Sequence, residues 1–282
     1  MLNIIKMDLY KMFKSKSFYF LNIVLLSISL FVGIFTAKTI MMNYEDAQDS
    51  NISWSGEDTL SSNDPLLTEK EYYEIQSDMV KNMDVQELII IQYSYGIATI
   101  LLAIFLSIMV CSELDTGFIK NIIPLKSSRA SLVLSKNIIA LLFIVIQIGV
   151  SLIGSIACTM LISGRVNIID SKSLMIYLSL QALLRIAFAS LIISISYMFK
   201  SKSTTMSIGI ILALNVHGLF LNILDKVINI SKLNLSELSI INNISRTSFS
   251  SQDYKRVILI SVIYFILYNT VSTIRVKKME VN

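Results

Sequence analysis

The sequence predicts an all-α, polytopic membrane protein with six transmembrane helices. Of its 282 residues, 54% are hydrophobic and only 16% are charged, whereas soluble domains average about 25% charged residues. Nine glycines and two prolines supply little turn chemistry for an all-β fold. Because a helix satisfies its backbone hydrogen bonds within one segment, it is the spanning structure that this composition favours in hydrocarbon.

Six apolar runs are each long enough for a transmembrane helix, which needs about 20 residues. The first run follows a basic N-terminus, but it is longer than the apolar part of a signal peptide and no convincing cleavage site follows it. We therefore interpret it as an uncleaved span. The third and fourth runs are long enough to cross with tilt. The predicted spans are residues 18–41, 89–111, 137–163, 174–198, 205–224 and 256–275.

Lys and Arg in the connecting segments predict the orientation, because basic loops stay in the cytoplasm. The loop 42–88 contains only Lys70 and Lys81 beside twelve acidic residues, so we place it outside. The loop 225–255 is also placed outside, although its four basic residues oppose the rule. The skew toward Ile, Lys and Asn favours a bacterial plasma membrane, with both termini cytoplasmic. The predicted cytoplasmic segments include residues 1–17, 112–136 and the tail 276–282.

Two segments outside the spans have helical signals. Thr68 and Glu71 form a capping box, which predicts a helix over 69–87 inside the acidic loop. Residues 1–17 carry one apolar stripe, typical of an amphipathic helix that lies at the inner membrane surface. A frayed cytoplasmic tail is the alternative. The stripe consists of Leu2, Ile5, Leu9, Met12 and Phe13.

The segment 112–136 carries both signs of charge between the second and third spans. Pro124 breaks its helix-compatible first half, and Ser127 or Ser128 can cap the helix that follows. A short helix held between two spans turns them when it is pushed, and its mixed charges suit a polar interface with a soluble partner. An ordinary basic loop that only sets the topology is the alternative.

Within this segment an acid precedes Gly-Phe-Ile-Lys-Asn, and Ser-Arg and Leu-Ser-Lys then lead into the third span. This pattern resembles the inner loop of bacterial ATP-binding-cassette permeases of type 2 (ABC-2). The opening "MLNIIKMDLYKMFKSKSFY" is similar to the interface helix with which many of these permeases begin, and the likeness covers essentially the whole chain. The residues that carry the loop pattern are Glu113, Gly117, Phe118, Ile119, Lys120, Asn121, Ser128, Arg129, Leu134, Ser135 and Lys136.

The resemblance implies a pair of permease subunits, identical or related, each resting on one of two cytosolic ATPase subunits. Segment 112–136 would be the coupling helix, and 225–255 would form re-entrant outer helices. The chain has no G-x-x-x-x-G-K-[ST] motif, so ATP and Mg would be bound by the partner, and this chain is expected to hold no cofactor and not to be an enzyme. The expected ATPase-coupling residues are Glu113, Asp115, Gly117, Phe118, Lys120, Asn121 and Arg129.

Arg185 and His217 are the residues well inside the predicted spans that are, or readily become, cationic. Each lies about 14 residues, or about 20 Å, from the inner end of its span. Ionisable residues at such depth are functional-site hypotheses, so we predict that they shape the substrate route, with Gln147 and Gln181 as further candidates. Alternatively, Arg185 snorkels or bonds to helix carbonyls, and His217 is packed and neutral.

The expected function is therefore outward transport by an ABC-2 exporter. The resemblance implies a peptide or antimicrobial substrate, as in lantibiotic and antimicrobial-peptide resistance. A membrane sensor or anchoring component with a ligand-binding outer loop is the alternative. An ion-coupled secondary transporter is disfavoured, because no inverted repeat with coupling carboxylates is visible. The two cysteines suggest no metal site, and the basic residues form no dense stripe for nucleic acid.

Overall fold

The regular elements of the described chain are α-helices, which confirms the predicted all-α class. The structure is a computed structural model and describes residues 2–53, 84–116, 129–166, 168, 170–216, 218, 221 and 235–278. The helices are α1 (Leu2–Lys14), α2 (Lys16–Ser53), α3 (Val85–Ser94), α4 (Ile97–Asp115), α5 (Arg129–Ser163), α6 (Ser171–Phe199), α7 (Lys202–Ala213), α8 (Leu235–Leu238), α9 (Ile240–Ile244) and α10 (Ser251–Lys278).

Five described helices are long and apolar enough to cross a membrane: α2, α4, α5, α6 and α10. This confirms a multi-pass membrane protein. The sixth predicted span, 205–224, is different, because α7 has only 12 residues and ends at Ala213. Asn215 then takes a left-handed φ of 57°. Most of the chain from 217 to 224 lies outside the described residues, so the sixth span stays a prediction.

The span predicted over 89–111 consists of two helices, α3 and α4, with a break at Tyr95 and Gly96. Gly96 has a φ of 70°, a conformation that favours glycine. A Cβ atom at this position would also lie 2.6 Å from the Ala213 carbonyl oxygen. The break therefore lies directly against the end of α7.

The boundaries of the acidic loop also differ from the prediction. Helix α2 continues to Ser53, past the predicted end of the first span at residue 41, because 34–53 contains no Gly or Pro to stop it. The predicted helix over 69–87 lies outside the described residues up to 83. Asp84 is extended and caps α3, since its carboxylate accepts a hydrogen bond from the Gln86 N–H at 3.1 Å.

Helices α4 and α6 form the centre of the bundle, and the mostly exposed α2 and α10 lie at its periphery. Helix α6 packs along α10, and α2 packs along α5. The second contact depends on small residues: a Cβ atom on Gly154 would lie 2.6 Å from the Ser29 Cβ atom. Exposed apolar side chains such as Phe31 on α2 and Ile263 on α10 suit contact with lipid.

The short helix α9 packs against α6, and the shorter α8 packs against α9. Ile240, Ile241 and Ile244 are buried there, and the Gln181 Nε2 atom donates to the Ile244 carbonyl at 3.0 Å. These helices fall in the segment predicted to hold re-entrant outer helices. Residues 222–234 of that segment lie outside the described chain, and its depth in the membrane stays a prediction.

Candidate functional site

Four charged side chains at one end of the bundle form an ion-pair group, which we name the α1 cluster: the buried Asp8, Glu113 and Lys136 and the partly exposed Lys11. The Lys136 Nζ atom lies 2.8 Å from Asp8 Oδ1 and 2.6 Å from Glu113 Oε2. Lys11 Nζ lies 3.2 Å from Glu113 Oε1. The Ser135 hydroxyl donates to Asp8 Oδ2 at 2.8 Å. Two carboxylates thus balance two ammonium groups.

The α1 cluster follows from the position of Asp8 on its helix. Asp8 lies one turn before Met12, and both side chains are buried. A charge removed from water costs several kcal/mol unless it is paired and hydrogen-bonded. Lys136, two turns into α5 and 2% exposed, supplies the opposite charge. The amphipathic helix is therefore held to the bundle by charge as well as by its apolar stripe.

The cluster joins α1 to both arms of the predicted coupling segment. Of the residues expected to contact an ATPase, Glu113 is a buried member of the cluster. Asp115 is exposed and pairs with Lys202 at 2.9 Å. Arg129 begins α5, and its side chain lies outside the described set, as do Gly117, Phe118, Lys120 and Asn121 altogether. Their contact with an ATPase stays a prediction.

Three uncharged polar side chains form a second link between helices. The Asn137 Nδ2 atom on α5 donates to Asn269 Oδ1 on α10 at 2.6 Å. Asn269 Nδ2 donates to the Ser190 hydroxyl on α6 at 3.2 Å, and this hydroxyl donates to Asn137 Oδ1 at 2.8 Å. This closed ring, the Asn137 ring, joins three membrane-spanning helices.

Arg185 is fully buried near the middle of α6. Its guanidinium stacks on the Tyr93 ring, with Cζ 3.9 Å from the ring centroid. None of its three nitrogen atoms has a hydrogen-bond partner within the described part of the chain. Neither of the alternatives to a functional role, a snorkelling side chain or a bond to helix carbonyls, is visible among these residues.

The other residues predicted to shape the substrate route do not form one group with Arg185. Gln181 lies one turn from Arg185 on α6, and its Nε2 atom donates to the Tyr177 hydroxyl at 3.2 Å. Gln147 on α5 instead donates to the Ala98 carbonyl at 3.2 Å. His217 lies outside the described residues. Over the described ranges, no group of three or more His, Cys, Asp or Glu side chains could hold a metal ion.

The partners of these charges were not predicted from the sequence. Lys11 belongs to the basic N-terminal stretch predicted to be cytoplasmic, and Lys136 belongs to the loop pattern, whereas Asp8 and Tyr93 had no predicted role. One signal for Asp8 was available, because it is an acid beside the apolar stripe of a short amphipathic helix. Nothing in the sequence singles out Tyr93, since a tyrosine in an apolar helix commonly packs in the core without a further role.

Comparison with protein families adds the identity of the chain. Residues 65–218 match the family described as ABC-2 family transporter protein, and this match covers more than half of the 282 residues. No curated protein matches the chain. The five apolar helices agree with a membrane component of such a transporter. The chain therefore belongs to the ABC-2 transporter family, as the membrane-embedded permease subunit of an ABC exporter.

Proposed function

We propose that this permease moves a peptide or antimicrobial substrate outward, using ATP hydrolysed by a separate cytosolic ATPase subunit. The proposed complex contains two permease subunits, identical or related, and two ATPase subunits that bind ATP and Mg. The acidic composition of 42–88 supports a cationic peptide as substrate, because a concentrated negative charge raises the local concentration of cations.

The observation that carries this proposal is the α1 cluster. Glu113 lies in the last turn of α4, and Lys136 lies seven residues, or about 10 Å, into α5. Both bind the interface helix directly or through each other. A displacement of the loop between α4 and α5 would therefore reach α1, α4 and α5 together. Such a rigid connection is what a coupling segment needs to move membrane helices.

The proposal is tested by co-purification of the permease with the ABC ATPase subunit encoded beside its gene. We expect the double charge reversal Lys120→Glu with Arg129→Glu to abolish recovery of the ATPase, because both residues lie on the coupling segment. Lys200→Glu is the control, since it reverses an exposed lysine in the short connection between α6 and α7. This variant should retain the ATPase.

Full recovery of the ATPase by the double variant would contradict the proposed docking segment. Equal loss in the double variant and in Lys200→Glu would indicate a general effect of charge rather than a specific contact. A wild-type chain that never co-purifies with an ATPase would favour the membrane-sensor alternative.

A further inference from the structure

Arg185 lies in the middle of the bundle and has no counter-ion among the residues that the structure describes. No described carboxylate forms an ion pair with it, and the described polar groups that interact with it are the phenol groups of Tyr93 and Tyr177. A cation–π contact stabilises a desolvated cation only modestly, whereas burying an ion is much more costly. Tyr93 therefore offsets only part of the cost of burying this guanidinium.

The geometry of the contact leaves the donors of Arg185 available. The Tyr93 ring covers one face of the guanidinium, but the N–H groups of a guanidinium lie in its plane. The Nε, Nη1 and Nη2 atoms are all without a partner in the described residues. This planar fork matches the two oxygens of a carboxylate, which accept parallel hydrogen bonds from it.

A small pocket at the Asp170 end of α6 is bounded by Tyr177, which also interacts with Arg185. The pocket has a volume of about 90 Å³ and is lined by residues that include Tyr177, Leu180 and Phe249. The Tyr177 ring also lies 6.5 Å from the Tyr93 ring, centroid to centroid. Its hydroxyl donates to the Arg246 carbonyl at 3.2 Å and accepts from Gln181. Tyr177 thus borders both the pocket and the Arg185 site.

We propose that Arg185 is the anchor of a carboxylate-binding site inside the membrane-spanning bundle, which a ligand enters from this pocket when Tyr177 moves. The carboxylate supplies the missing negative charge and accepts hydrogen bonds from the unpaired guanidinium donors. Its source is either a small free carboxylate or the C-terminal carboxylate of a peptide. The proposal goes beyond export and does not depend on the ATPase partner.

Thermal unfolding of the purified full-length permease in detergent tests the proposal. Formate is the probe, and methanesulfonate at equal ionic strength is the reference anion. Because a ligand that binds only the folded state stabilises it, formate at ten times its Kd should raise the Tm by roughly 3–6 °C. A second arm compares an apolar tripeptide that has a free C-terminal carboxylate with the same peptide amidated.

Variants of Arg185 show whether a change in the Tm arises from binding at this site. Arg185→Met should lose the response to formate and to the free peptide, while Arg165→Met, which removes an exposed arginine, should keep both. Arg185→Lys keeps the charge but not the planar fork, so its Kd for formate should rise at least tenfold. This variant also serves as the test if Arg185→Met does not fold.

The outcomes separate the two sources. A rise in the Tm with formate alone indicates that the ligand is a free carboxylate, and a rise with the peptide acid alone indicates a peptide C-terminus. Either result supports the proposed site. No response in the wild-type chain, an unchanged response in Arg185→Met, or equal affinity in Arg185→Lys overturns it. Because the permease is measured alone, a negative result here leaves the proposed ATPase contact unaffected.

Discussion

The α1 cluster and the Arg185 site both hold charge away from water, but they do so differently. In the α1 cluster two acids and two lysines contact one another, and Ser135 adds a hydrogen bond. At Arg185 one cation lies on one aromatic ring, and its donors have no partner among the described residues. The charges of the α1 cluster are therefore neutralised within the cluster, whereas the charge of Arg185 is not neutralised by any described residue.

This difference separates a structural role from a binding role. In a cluster whose charges are balanced and paired, no unpaired charge remains for a ligand to neutralise. Such a cluster also opposes separation of the helices that it joins. An unpaired cation in the same protein is costly and gains most from an added anion. We therefore assign mechanical coupling to the α1 cluster and ligand binding to Arg185.

The largest expected effect is that of Lys136→Met. It leaves Asp8 without its ion-pair partner and Glu113 with Lys11 alone, so we expect a loss of about 3–5 kcal/mol in the free energy of unfolding. Equilibrium unfolding in detergent measures the loss. Lys202→Met is the matched control, because its pair with Asp115 is exposed and should contribute less than about 1 kcal/mol.

A compensating variant makes the same test sharper. Asp8→Leu combined with Lys136→Met removes one charge of each sign and keeps the Lys11–Glu113 pair. Most of the lost stability should return. If the double variant is no more stable than Lys136→Met, the cluster is not held together by its charge balance.

The next effect is expected at Tyr93. Tyr93→Leu removes the ring beneath the guanidinium and should cost about 2 kcal/mol from the cation–π contact alone. Tyr93→Phe should cost much less, because it keeps the ring face on which the guanidinium stacks. The free energy of unfolding of both variants measures the difference. Equal losses would show that the ring face is not what stabilises Arg185.

A smaller effect is expected at the Asn137 ring, an uncharged counterpart of the α1 cluster. Asn269→Leu removes the α10 member of the ring. We expect it to lower the free energy of unfolding by less than Lys136→Met does, because interhelical hydrogen bonds in membranes average about 0.6 kcal/mol, with a maximum of about 1.7. A double-mutant cycle with Ser190→Ala isolates the coupling energy between the two side chains. A loss as large as that of Lys136→Met would contradict the distinction between neutral and charged links.

Arg185→Met should have the smallest effect on stability, and of the opposite sign. In buffer without carboxylates it removes a buried charge that has no ion-pair partner in the described ranges, so the free energy of unfolding should stay the same or increase. Unfolding in parallel with Lys136→Met checks this. A loss comparable to that of Lys136→Met would mean that Arg185 already has a counter-ion in the folded protein.

Parts of this architecture were predictable because they depend on neighbouring residues. The all-α class, the apolar spans and the amphipathic N-terminal helix follow from composition and spacing. The break at Gly96 was not predicted, since its reason is the approach of the Ala213 carbonyl from another helix. Arg185 was predicted as a site from its depth in an apolar run, but its unpaired state was not.

What the sequence determined by itself is that this chain crosses a membrane as helices, because hydrophobicity and backbone hydrogen bonding act within each segment. Only the tertiary structure decided which charges are neutralised. Asp8 and Lys136 are 128 positions apart, and Lys11 and Glu113 are 102 apart. Pairing over such distances depends on how the helices pack, and the same packing placed an aromatic ring, and no acid among the described residues, against Arg185.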